Sequence, residues 1–492
     1  MVTAPGERSA PPPPPPPGVN YAKRWWVLVA IGMGIFLGTI DGSIVNIALP
    51  TLEDDLTTSF ATVQWVVISY LLCLATLVLA VGRLGDMVGK KSIYTAGFGV
   101  FTAGSMLCGI APGVGWLIAF RVVQGVGAAM IFALGFAIVT ESFPPAERGR
   151  ALGLTGSIVS LGIIIGPTLG GLIIESLSWR WIFFVNLPVG IIGTLTAMRF
   201  IPDVAPRGSQ HFDFLGAGVF CAALLALLLS LTAGQGLGFG HPAVLALGIT
   251  GALCIGAFVT IERRVAEPML DLGIFRNNRL LVVNLVTGWM SFTAVSGLVL
   301  LLPFYLEGVL GHGPRTVGLL LASLPAALGI VAPFSGSLSD RIGPRPVTVA
   351  GLAILVIGYL GAEVLAVDTT PLVFVLAMIP IGIGLGTFQS PNNSAVMGSV
   401  PPERLGVTSS MLTITRITGQ LTGIATLGAL WAARVAAITG ARGDPAGAPA
   451  AAQVGALHDT TVVTAGLMMA ALAVAGAGWI VERRRVTRPA PS

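Results

Sequence analysis

Two residues of opposite charge stand where charge is costly. Asp41 lies in a long apolar run that opens near Trp25, and Arg121 in another that opens near Trp116. At 1.5 Å of rise per helical residue, Asp41 sits ~24 Å along its helix. That leaves ~6 Å to the far face of a ~30 Å hydrocarbon layer. Arg121 lies ~8 Å from the same face by the same rise, so the two can pair. An ionisable residue inside a span is costly unless paired or hydrated, and such residues mark ion and proton pathways. Burial disfavours an ionised carboxylate and a nearby guanidinium favours it. The pair can therefore take up and release a proton, or it can be a static tie between two helices.

Other residues with chemical potential cluster in short motifs. Gly82-Arg-Leu-Gly-Asp86-Met-Val-Gly89-Lys90-Lys91 returns 254 residues later as Gly336-Ser-Leu-Ser-Asp340-Arg341-Ile-Gly343. Asp86 is expected near the start of the third helix, where the dipole favours an anion. Lys90, four residues on, and Glu141 are its expected partners. Such a cluster could lock the inner end of a bundle, or it could only anchor topology through its cations. Gly162, Gly166, Gly170 and Gly171 recur at helical spacing around Pro167. Small residues four apart allow close helix approach, and the proline removes a backbone bond and permits a kink. Arg416 is a second cation deep in an apolar run, ~14 Å from its start. Amides such as Gln389, Asn392, Asn393 and Gln420 could satisfy it, or it could attract an anionic substrate or the carboxylate. Arg416, Gln124, Trp289, Phe292, Gln389 and Asn393 form the candidate lining of a substrate cavity.

The elements that must position these residues follow from composition. The chain has 492 residues, 54% of them hydrophobic and only 10% charged. A soluble domain carries about 25% charged residues, so a soluble enzyme, a nucleic-acid-binding domain and a disordered protein are all excluded. A span needs roughly 20 apolar residues, and the sequence predicts fourteen: 25–48, 62–82, 92–111, 115–141, 151–174, 181–199, 213–233, 242–262, 280–304, 315–335, 346–366, 371–397, 407–431 and 460–481. An even count puts both termini on one side. With the termini cytoplasmic, 21 of the 27 Lys and Arg lie inside, and only Arg180, Arg315, Arg434 and Arg442 lie outside. That bias obeys the positive-inside rule and accounts for the net charge of +5. The proline run Pro11–Pro17 reads as a polyproline spacer, the segment Arg263–Arg279 as a surface-lying stretch, and Arg434–Asp459 as a flexible outer loop.

The paired Gly-x-Leu-x-Asp loops, with the proline pairs after Phe143 and Val400 at a similar offset, indicate a six-helix unit used twice in the same orientation. Parallel repeats of this kind are a transporter architecture. The expected organisation is a Pro-rich cytoplasmic tail (1–24), a six-helix bundle (25–200), an inserted helix pair (201–264), a second bundle (265–482) and a short tail (483–492).

These loops resemble the signature loop of the major facilitator superfamily. Asp41-Gly-Ser-Ile-Val-Asn-Ile-Ala-Leu-Pro50, Arg121-Val-Val-Gln-Gly-Val-Gly-Ala-Ala129, Gly162-Ile-Ile-Ile-Gly-Pro-Thr-Leu-Gly-Gly171 and Trp179-Arg-Trp-Ile-Phe-Phe-Val-Asn-Leu-Pro-Val-Gly190 resemble motifs of its fourteen-helix drug/proton antiporters. The usual basic residue after the loop aspartate is Met87 here. The resemblance implies an all-α membrane protein of two six-helix bundles plus two inserted helices. It implies proton-coupled efflux of drugs, antibiotics or other amphiphiles across a bacterial inner membrane by alternating access, with Asp41 and Arg121 at positions tied to proton coupling. An exporter of a lipid or an endogenous secondary metabolite is the nearest alternative, and a non-transporting membrane sensor a remoter one.

No cofactor, metal, nucleic acid or ATP is expected. The four Cys lie far apart in apolar stretches and the four His are equally scattered, with no ligand spacing. Gly85-Asp-Met-Val-Gly-Lys-Lys-Ser92 has three residues between its glycines and two lysines, whereas a phosphate-binding loop needs four and then Lys directly before Ser or Thr. No HExxH or GxSxG signature of an enzyme occurs. The expected partners are protons, lipid and an amphiphilic substrate bound by a monomer. In the family it resembles, some exporters of lipophilic cations carry extra carboxylates in the central helices; the tenth predicted span, Arg315 to Ser335, has none, and Glu307 and Glu363 are expected at wet helix ends. Doubly cationic substrates are therefore disfavoured.

Overall fold

In hydrocarbon a backbone can satisfy itself only as a helix or a closed barrel. The computed structural model describes residues 20–144, 147–203, 213–265, 278–399, 405–440 and 443–486, and among these there is no strand. The long helices, numbered α1 to α14, are Arg24–Asp55, Trp65–Val88, Lys90–Gly109, Val114–Ser142, Arg148–Ser176, Asn186–Phe200, Phe214–Leu237, Pro242–Glu262, Arg279–Phe304, Ser323–Ile342, Pro344–Gly361, Pro371–Gly398, Leu405–Thr439 and Ala450–Val486. The short helical pieces Phe60–Val63, Trp181–Phe184 and Pro314–Leu321 lead into α2, α6 and α10.

Thirteen of the described helices are long and apolar enough to cross a membrane. The fourteenth expected span, α3, is a 20-residue helix whose apolar average is diluted by Lys90, Lys91, Ser92, Thr95, Thr102, Ser105 and its glycines. Its length and its packing against α2, α4 and α6 match those of its neighbours. The expected flexible segment Arg434–Asp459 is corrected. α13 runs to Thr439 and α14 begins at Ala450, because alanine favours helix, and Arg434 pairs with Asp459 at 2.6 Å. The Pro11–Pro17 run and most of the Arg263–Arg279 segment lie outside the described residues.

The packing repeats with a period of eight helices. α1 packs on α5 and α6, α2 on α4, and α3 on α4 and α6. In step with these, α9 packs on α13 and α14, α10 on α12, and α11 on α12 and α14. α8 leans on α7, and α7 touches one helix of each half, α2 and α13. Trp65 Nε1 donates to Thr232 Oγ1 at 3.3 Å across the α2–α7 contact.

The halves close on one another at the end of the bundle opposite Arg24. There the Phe60 ring lies 4.9 Å from both Phe304 and Trp431, and its backbone N–H donates to Asp444 Oδ2 at 3.0 Å. Gly171 meets Pro314, and Gly318 meets Pro167. At the end that carries Arg24, the ion pairs Arg24–Glu147 (2.8 Å) and Lys90–Glu141 (2.9 Å) both lie within the first half.

Candidate functional site

Arg121 and Gln124 are three residues apart on α4 and so share a face. That face meets Asp41 of α1. Arg121 Nη1 donates to Asp41 Oδ2 at 2.6 Å and to Gln124 Oε1 at 2.7 Å. Gln124 Nε2 donates to Asp41 Oδ1 at 2.7 Å and to Ser105 Oγ of α3 at 2.9 Å. Asn186, at the start of α6, donates Nδ2 to Asp41 Oδ1 at 3.1 Å and to Ser105 Oγ at 2.9 Å. Arg121 also donates Nε to the Val66 carbonyl at 2.9 Å, and its guanidinium lies 4.2 Å from the centre of the Tyr70 ring. Asp41, Arg121, Gln124 and Ser105 are all 0% exposed. Four helices thus build a dry cage around one carboxylate. Charge-assisted bonds of this length are the strong ones, and in this conformation they seal Asp41 from bulk water.

The cage corrects one expectation and adds two residues. Gln124 belongs to the carboxylate's shell and not to a cavity wall, because its helical spacing from Arg121 turns it inward. Asn186 and Ser105 were not anticipated. The available signal was an asparagine inside an apolar motif, since a polar side chain at such depth needs a partner.

The inner cluster is built differently from its expected form. α2 ends at Gly89, whose φ of +110° suits glycine and whose N–H bonds Gly85. α10 ends in the same way at Gly343, with φ +88° and a bond to Ser339. Asp86 therefore falls in the last turn of α2 and not at the start of the next helix. The helix break at Gly89 also removes the expected same-helix spacing to Lys90. The side chain of Asp86 lies outside the described residues. Lys90 bonds Glu141 Oε1 at 2.9 Å. Asp340 and Arg341, in the matching last turn of α10, are exposed.

The glycine row of α5 lies along α1. A Cβ on Gly162 would run into Thr39, on Gly166 into Ser43 and on Gly170 into Ile44. Ser43 Oγ donates across this seam to the Gly162 carbonyl at 3.1 Å. Gly171 and Pro167 face the Pro314–Leu321 piece of the other half.

Of the remaining cavity candidates, Arg416 is half-buried on α13, with its guanidinium 6.0 Å from the Phe132 ring centre on α4. A Cβ on Gly419, one turn on, would come within 2.8 Å of the Trp289 carbonyl oxygen and 2.9 Å of Phe292 Cβ, so α9 and α13 approach closely beside these two residues. Gln389 is half-buried and Asn393 exposed on α12. Glu363 is exposed, but Glu307 is half-buried, and its Oε1 is buried without a hydrogen-bond partner among the described residues. The far-end packing covers Glu307, which corrects the expectation that it is wet. Glu53, at the end of α1, is buried as well. It escaped notice because the apolar run stops before it.

A family model described as Major Facilitator Superfamily matches residues 31–424. The chain is 35% identical over 395 residues to the riboflavin transporter RibZ of Clostridioides difficile, covering 80% of this chain and 85% of that one. It is 34% identical over 411 residues to the multidrug resistance protein Stp of Mycobacterium tuberculosis, covering 83% and 76%. Its fold matches the crystal structure of a bacterial homolog of the human lysosomal transporter Spinster in an inward-facing, unoccupied conformation. That match has a TM-score of 0.67 and 18% identity, and covers 96% of this chain and 99% of the other.

Proposed function

The chain belongs to the Major Facilitator Superfamily and is a multi-pass membrane transporter, and we propose that it exports amphiphilic small molecules, drugs and antibiotics among them, in exchange for protons. It works in a bacterial inner membrane with both termini in the cytoplasm, as two six-helix bundles (25–200 and 265–482) that rock about a site between them while the pair within 201–264 flanks the seam. The observation that carries this reading is the Asp41 cage. A carboxylate held at 0% exposure by a guanidinium and an amide of α4 and a second amide of α6 stays ionised only while those helices keep their places. It suits a proton site whose occupancy depends on how those helices sit. The relative named a multidrug resistance protein supports the substrate class. The one named a riboflavin transporter favours a second reading, transport of an endogenous heteroaromatic compound by the same mechanism.

Inside-out vesicles containing the protein, acidified within, test the proposal. Adding aromatic amphiphiles from a panel should release protons with at least one compound, and Asp41→Asn vesicles should release none. A panel that moves no protons, with the protein verified in the membrane, overturns proton-coupled export.

A further inference from the structure

Inside the spans that carry Asp41, Arg121 and Arg416 the fixed charges are unbalanced. Asp41 is fully committed to Arg121, Gln124 and Asn186. Arg416, also inside a span, contacts the Phe132 ring of the opposite half and has no ion pair or hydrogen bond among the described residues. One carboxylate and two guanidinium groups leave a surplus of one positive charge. A cation inside a bilayer is expensive until something neutralises or hydrates it. It is half-buried where the halves meet, so it is accessible to whatever enters between them.

We propose that Arg416 is the subsite for an anionic group of the transported molecule: a carboxylate, sulfonate, phosphate or ionised phenol on an aromatic or aliphatic body. This rests on the export reading above and adds the charge of the substrate to it. Phe132 provides an aromatic surface next to the guanidinium. The same ring also packs against Gly38, one turn of α1 from Asp41. The Tyr70 hydroxyl donates to the Gly38 carbonyl at 3.4 Å while its ring underlies Arg121. An anion that draws on Arg416 therefore acts on Phe132, and Phe132 on the segment of α1 that holds the proton site.

A matched pair of probes tests this: 8-anilinonaphthalene-1-sulfonate and N-phenyl-1-naphthylamine, the same skeleton with and without the sulfonate. Binding to the purified full-length protein, followed by fluorescence, should be at least tenfold tighter for the sulfonate. Arg416→Gln should abolish that difference, and Arg416→Lys should keep part of it. Equal binding of the two probes by the unmodified protein overturns the proposal. So does a sulfonate preference that survives Arg416→Gln. The comparison on the unmodified protein decides even if the Gln variant does not fold. Transport separates the two readings: an intact sulfonate preference with no proton-driven movement of either probe in sealed vesicles overturns the export reading and leaves the anion subsite standing.

Discussion

Protonating Asp41 changes what faces Arg121. The carboxylate now accepts from Arg121 Nη1 at 2.6 Å through Oδ2, while Gln124 and Asn186 occupy Oδ1. A proton on Oδ2 would set a donor against a donor, so proton uptake and release of Arg121 must occur together. Arg121 keeps the Val66 carbonyl, Gln124 and the Tyr70 ring as partial compensation when it lets go. Asp41→Asn imitates the protonated state without allowing exchange. Breaking one side of a buried pair costs ~3–5 kcal/mol, so the variant should melt well below the unmodified protein. Asp41→Asn with Arg121→Gln should recover most of that stability but no uphill efflux. Thermal melts and proton flux on the same samples check this, and uphill efflux by the double variant would reduce the pair to a structural tie. Asp41 and Arg121 were legible in the sequence because charges stand out in apolar runs and depth follows from helical rise. Gln124 was visible but misassigned. Asn186 and Ser105 were not foreseen because they are neutral and come from helices whose contacts with α1 no spacing rule supplies.

At the scale of the helix, the α5 motif has two separate jobs. Gly162, Gly166 and Gly170 seat α5 on α1 inside one half, whereas Gly171 abuts Pro314 of the other half, where a methyl group would meet backbone. Backbone cannot rotate away as a side chain can, so Gly171→Ala should push the far ends of the halves apart. Gly153, on the same helix, has nothing within 4 Å of its Cβ position, and Gly153→Ala is the control, since alanine favours helix by ~1 kcal/mol at either site. Spin labels at Leu177 and Leu319 should report a population opened at the far end that grows at least tenfold in Gly171→Ala, about 1.4 kcal/mol, and not in Gly153→Ala. The glycine spacing was legible; its division between an internal seam and an interface between halves was not, because spacing names a face and not its neighbour. The same limit explains Asp86. The motif located a turn, but only the positive φ of Gly89 shows that the aspartate precedes it.

The whole molecule repeats its packing with a period of eight helices, as the recurrence of the Gly-x-Leu-x-Asp loops at an offset of 254 residues anticipated. Long-range order was legible because the two copies retain the same turn chemistry, down to the positive φ at Gly89 and Gly343. What does not repeat is charge: the first half contributes a balanced Asp41–Arg121 pair inside its spans, and the second contributes Arg416, with no ion pair among the described residues. That asymmetry sets the electrical character of the cycle. If one proton enters for each molecule that leaves, a singly charged cation moves no net charge, a neutral substrate moves one and an anion moves two. Each charge is worth about 2.3 kcal/mol per 100 mV, so an anion exchanged for a proton gains ~4.6 kcal/mol. At about 1.36 kcal/mol per decade, that supports a concentration ratio of more than three decades with no pH gradient at all. The prediction is read in sealed vesicles whose potential is set by a potassium gradient and valinomycin, with equal pH on both sides. The sulfonate probe should accumulate on the positive side, with about twice the logarithmic response to voltage of its unsulfonated counterpart, and a monovalent cation such as ethidium should not respond through the protein. An identical voltage response for the sulfonated and unsulfonated probes would mean that the anion crosses with an extra proton, and that Arg416 attracts the substrate without setting the charge carried per cycle.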